Sequence, residues 1–150
     1  MTETGREPCL LCAQEDAEHA DVVFRDKQWA AEIVPGYEIP GWIILRVRRH
    51  AERITGLADA ELATLGYRAR DLVAAVSDVC RTSVTYLLVF GENYPHFHVL
   101  ITPRDETVPA DRRAGDILRL RLERNDRATA RALIPAIRDA YAGRAAVNVG

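Results

Sequence analysis

The chain has 150 residues, room for one domain with a real hydrophobic core. Its 48% hydrophobic and 28% charged content excludes a disordered chain and fits a folded globular one. A formal charge of −2 excludes a global attraction to nucleic acid polymers or to anionic membrane surfaces. No apolar run reaches the length of a membrane span, and the first residues carry neither a basic n-region nor an apolar h-region, so a cytoplasmic protein is expected.

Residues 1–8 are read as a flexible tail. Cys9-Leu10-Leu11-Cys12 follows it, and with only three cysteines in the chain a disulfide framework is excluded. Metal or redox chemistry remains. A redox pair of this spacing follows a strand and opens a helix, whereas this one follows a polar tail, so metal is preferred.

Asp21 to Phe24 and Trp29 to Val34 read as short strands joined by the turn Arg25-Asp26-Lys27-Gln28. Pro35 to Gly41, with two prolines and two glycines, is loop. Trp42 to Val47 makes a third strand, which runs into the basic stretch Arg46-Val47-Arg48-Arg49-His50. A helix follows over Ala58 to Val79, where Leu62, Leu65, Ala69, Leu72 and Val76 form one apolar stripe. Asp59 and Glu61 stand in its first turn, where the helix dipole favours anions. Cys80 at its end is read as a small core residue.

Ser83 to Phe90 is β-rich, and Gly91-Glu92-Asn93 turns the chain into the most informative stretch, Pro95 to Arg104. With a period of two, His96, His98 and Leu100 share one face of that strand while Phe97, Val99 and Ile101 share the other. Two imidazoles on one face of a buried strand are costly unless each has a partner or a task. Two cysteines with two residues between them, together with two distant histidines, make the ligand set of a tetrahedral zinc site. His50 is one candidate; His19, read as a loop residue, is the reserve.

Beyond Arg104 the pattern weakens. Asp105 to Gly115, with Pro109, is loop. Leu118, Leu120 and Leu122 alternate with charged residues, which predicts an amphipathic strand; a short helix fits almost as well. Asp126 can cap a final helix that Pro135 interrupts or kinks and that ends before Gly143, with residues 144–150 frayed.

From Cys9 to Arg104, about two thirds of the chain, the sequence resembles the histidine triad superfamily of nucleotide-binding hydrolases and transferases. The resemblance rests on Cys9-Leu10-Leu11-Cys12, on Pro40-Gly41-Trp42-Ile43-Ile44 leading to Arg49-His50, and on His96-Phe97-His98 followed by Pro103-Arg104. The Pro103-Arg104 ending makes His96 the first triad position, His98 the second and Leu100 the third; starting the triad at Tyr94 would leave that ending out of place.

The resemblance implies an α+β fold, an open antiparallel sheet of about five strands with a long helix on one face and a C-terminal helix, assembled as a homodimer. It implies a structural zinc ion held by Cys9, Cys12, His50 and His96. It makes His98 the nucleophile that attacks the α-phosphate of a nucleotide or nucleotide conjugate, forming a covalent nucleotidyl-histidine. Glu32 stands where the family places an acid that binds ribose, and Asn93 and Arg104 where phosphate would be met. The chain departs from the pattern at Leu100, which has no hydrogen-bond donor, at Glu92, and at Trp42 in place of a histidine. These departures keep two other functions open, a nucleotide-binding module with little turnover and an enzyme for a non-nucleotide metabolite.

Overall fold

The structure is a computed structural model that describes residues 8–148. Its elements are α1 (Leu10–Ala13), β1 (Val22–Arg25), β2 (Trp29–Glu32), β3 (Ile43–Val47), α2 (Asp59–Cys80), β4 (Val84–Leu88), β5 (His98–Arg104), α3 (Leu120–Glu123) and α4 (Arg127–Asn148). The five strands form one antiparallel sheet in the order β1-β2-β3-β5-β4. The α+β architecture is the expected one.

The alternation in β5 sorts the sheet into two faces. Phe97, Val99 and Ile101 join Ile43, Leu45 and Val47 of β3 against Leu72, Ala75 and Val76 of α2 and Ala130, Ile134 and Ile137 of α4. On the opposite face, Ile44 and Leu100 meet Leu11, Val34, Ile39, Trp42, Ile117 and Leu120. Each face thus has its own core, and His98 belongs with Leu100 on the second.

Most boundaries shift by one or two residues. β2 stops at Glu32 because Pro35 follows, although Ile33 and Val34 stay buried. The α2 stripe is displaced from its expected start: Leu62 is exposed, while Ala75 joins Leu72 and Val76 in the core. Glu61 closes the first turn by accepting from the Ala58 N–H at 2.7 Å. Gly41, at φ 86° before β3, has Cys80 Sγ 2.7 Å and Pro103 Cγ 2.9 Å from where a Cβ would stand, so only glycine fits.

Two expectations are corrected. Leu118 to Leu122 is not a strand but the end of a 3-10 turn (Ala114–Arg119) and α3. The buried pair is Ile117 and Leu120, three residues apart, while Leu122 is 94% exposed; that is a helical period. The final helix, opened by Asp126 accepting from the Thr129 N–H at 3.1 Å, runs through Gly143 to Asn148 with Pro135 inside it. Stacking of Tyr141 on Phe24, centroids 4.1 Å apart, and burial of Ile134 and Ile137 offset the proline. Residues 144–148, expected to fray, continue this helix, while residues 1–7 and 149–150 of the expected tails lie outside the described residues.

Arg81 ends α2 at φ 55° and ψ 48°, a left-handed conformation that costs a side-chain-bearing residue about 1–2 kcal/mol. Its N–H closes onto the Ser77 carbonyl, so the conformation is needed. Arg81→Gly is expected to raise stability by about 1 kcal/mol, read as a higher urea midpoint with an unchanged slope; an unchanged midpoint would show that the turn is not strained.

Candidate functional site

The short helix α1 brings both thiols to one place. Cys9 caps it, its Sγ accepting from the Cys12 N–H at 3.2 Å, and Cys12 lies one turn on. His50 leaves the end of β3, and His96 stands just before β5, so the antiparallel β3–β5 pair sets the two imidazoles side by side. His50 Nδ1 lies 3.1 Å from Cys12 Sγ, and His96 Nδ1 lies 3.4 Å from both Cys9 Sγ and Cys12 Sγ. All four donor atoms fall within 4.8 Å of one another.

This set fits a metal ion. Bonds of about 2.3 Å to sulfur and about 2.0–2.1 Å to nitrogen put the corners of one tetrahedron roughly 3.3–3.8 Å apart. The second nitrogen of His96 meets the Val47 carbonyl oxygen at 2.6 Å. A carbonyl has no proton to give, so Nε2 carries the hydrogen and Nδ1 presents its lone pair to the thiols. Burial, then the neighbouring Cys9 thiol, pushes the Cys12 thiol up to about 11, so ion binding must displace its proton. His19 is exposed and outside this cluster.

Two residues along, the geometry is reversed. His98 Nδ1 meets the His96 carbonyl at 2.6 Å, so here Nδ1 carries the hydrogen and Nε2 keeps the lone pair. Burial pushes the His98 ring below the usual imidazole range, against the pull of that carbonyl, which favours the neutral form. His98 lines a cavity of about 300 Å³. Its walls are largely apolar, with Leu10 and Leu11 of α1, Val34, Ile44, Leu88 and Leu118; Asn93, Glu92, Tyr37, Tyr94 and Arg121 supply the polar groups.

No family model matches the sequence, and no curated protein does. Solved structures do. A hypothetical histidine triad nucleotide-binding protein from Sulfolobus tokodaii superposes with a TM-score of 0.70 at 19% identity, over 90% of this chain and 93% of that one. A zinc-bound histidine triad family protein from Mycobacterium smegmatis gives 0.68 at 14% identity, over 93% and 97%. The chain has the histidine triad fold. A uridylyltransferase also matches, with a TM-score of 0.62 at 20% identity, over 90% of this chain but 45% of that one.

Within this fold the residues expected at the site divide. Cys9, Cys12, His50 and His96 come together. His98 and Asn93 line the cavity, as do Leu100 and Glu92. Trp42 is buried in the second core instead.

Glu32 and Arg104 do not line this cavity. Glu32 is 0% exposed and its carboxylate is taken by Arg46, with Nη2 at 2.7 Å and Nε at 3.0 Å. Burial pushes its carboxyl up, and the charges of Arg46 and Arg25 pull it back. Arg46 also reaches Glu15 at 2.5 Å, and Arg48 meets the same carboxylate at 2.7 Å, so Glu15 is drawn down to about 2, chiefly by Arg48. Arg104, at the end of β5, is partnered by Glu106 at 3.5 Å.

The sequence reading did not single out Tyr37 or Arg121. Tyr37 sits in a Pro/Gly loop with nothing in its neighbours to mark it. Arg121 was hidden by reading its segment as a strand.

Two outcomes are expected. Chelation with 1,10-phenanthroline should lower the melting temperature by about 10 °C, given about 4 kcal/mol from a tightly bound ion and about 2–4 °C per kcal/mol; an unchanged melting curve would remove the metal site. Glu32→Gln should cost about 3 kcal/mol in urea unfolding because it leaves Arg46 poorly paired in the interior, and Glu32→Leu with Arg46→Met should recover most of it. Equal stability of Glu32→Gln and the parent would contradict the buried pair.

Proposed function

We propose that this protein is a nucleotide-conjugate hydrolase or nucleotidyl transferase that works through His98, with a zinc ion as structural cofactor at Cys9, Cys12, His50 and His96. The observation that carries the reading is the 2.6 Å contact of His98 Nδ1 with the His96 carbonyl, which leaves Nε2 as a lone pair on a ring lining the cavity. The zinc-bound and uridylyltransferase structures of the same fold lend support.

In the proposed reaction His98 Nε2 attacks the α-phosphorus, and the bond from phosphorus to the leaving group breaks. The leaving group departs with the electron pair and takes a proton from solvent. Water then attacks the nucleotidyl-imidazole and gives a proton to solvent, the P–N bond breaks with its electron pair going to Nε2, and the ring returns to its Nδ1–H form. The His96 carbonyl holds the tautomer and stabilises the cationic imidazole as the P–N bond forms. Asn93, at the cavity rim, is the proposed donor to the phosphoryl oxygens.

With four protein donors a bound zinc ion keeps no open position, so its task is to tie the N-terminal turn to the sheet. A zinc content of about one per chain after purification without added metal is expected. The homodimer is part of the same proposal, read by sedimentation of the purified chain.

Leu100 favours a second reading, binding with little turnover. It is buried against the cavity with no donor, and losing one such donor costs on the order of a hundredfold or more in rate. Calorimetry with mononucleotides beside a turnover assay separates the two, since tight binding without product selects the module. For the leading reading, His98→Asn should reduce hydrolysis of adenosine 5′-phosphoramidate by about a thousandfold or more with the melting temperature retained. Hydrolysis at the parental rate would falsify it.

A further inference from the structure

One wall of the cavity is a row of stacked groups. The Arg121 guanidinium lies 3.9 Å over the Tyr37 ring. Tyr37 meets Tyr94 edge to face at 6.1 Å, and Tyr94 meets His98 in the same manner at 6.3 Å. Arg121 Nε is used, donating to the Gly36 carbonyl at 2.9 Å. Among the described residues no carboxylate comes within ion-pair distance of Arg121; Glu92, the acid on the cavity rim, is exposed and forms no pair with it. The other half-buried or buried guanidiniums nearby, Arg46 and Arg48, already have Glu15 and Glu32.

We propose that Arg121 is a specificity-determining residue that binds a second anionic group of the substrate, a carboxylate or a phosphate, at the end of the cavity remote from His98. A guanidinium held over a ring and anchored through Nε is fixed in place, and its fork of N–H groups suits a carboxylate or a phosphate. Its charge stands on the wall of an otherwise largely apolar cavity with no carboxylate beside it, which leaves it for an incoming anion. Two tyrosine rings stand between Arg121 and His98, so the group met by the guanidinium is not the one met by the imidazole. The substrate class is therefore a phosphoester with an apolar, preferably aromatic, body and a distal anion. This inference rests on the proposed phosphoester chemistry at His98.

Titration calorimetry of the full chain with three probes tests it: biphenyl-4-yl phosphate, the same ester with a 4′-carboxylate, and the same ester with a 4′-phosphate. At least one doubly anionic probe is expected to bind about tenfold or more tighter than the monoester, since a charged hydrogen-bonded contact is worth about 1.5–3 kcal/mol. Whichever probe gains more identifies the anion. In Arg121→Gln that ratio should fall to about one, and in Arg121→Lys to an intermediate value, with melting temperatures confirming that both variants fold. A monoester that binds with no gain from either second anion overturns the assignment, as does a gain that survives in Arg121→Gln. If no probe binds the parent protein, this inference fails, while turnover of adenosine 5′-phosphoramidate judges the His98 reading separately.

Discussion

The carbonyl oxygens of Val47 and His96 can only accept a hydrogen bond, and each is met by an imidazole nitrogen at 2.6 Å. Because the first takes His96 through Nε2 and the second takes His98 through Nδ1, two histidines separated by one residue are held in opposite tautomers. One presents Nδ1 to a pair of thiols and the other keeps Nε2 bare on a ring that lines a cavity. The start of a single strand thereby aims one imidazole at the thiols and leaves the other with a bare nitrogen beside a cavity.

The sheet makes that division possible. Burial of Phe97, Val99 and Ile101 against α2 and α4 fixes the parity of β5, so His98 must fall on the face that the helices leave open. On this face Arg46 of β3 stands directly opposite His98 in the strand register. Through Glu15, it binds the turn that follows the two cysteines. The N-terminal segment is thus tied down twice, by the donor cluster and by this ion-pair network. Its Leu10 and Leu11 become cavity wall only because it is tied. Metal site and cavity are parts of one construction.

Much of this was legible in the sequence because period-two alternation and ligand spacing are local signals. Cys9-Leu10-Leu11-Cys12, the histidine ending the basic run and the His96-Phe97-His98 triplet each carry their meaning within a few residues. Glu32 lies off the cavity for a reason the sequence also contained. Arg46 has the same strand parity as Ile44, so it had to be buried, and a buried guanidinium needs a carboxylate. Counting that requirement pairs Glu32 with Arg46 in the interior. Arg121 had no comparable signal, since its contact with Tyr37 spans the chain from the Pro35 loop to α3 and depends on a helical turn whose leucines mimic a strand.

The opposite tautomers of His96 and His98 can be read directly from long-range proton–nitrogen correlation spectra of the imidazole side chains. The account predicts a protonated Nε2 with an unprotonated Nδ1 for His96, and a protonated Nδ1 with an unprotonated Nε2 for His98. The same tautomer at both positions, or a His98 ring protonated on Nε2, would contradict it.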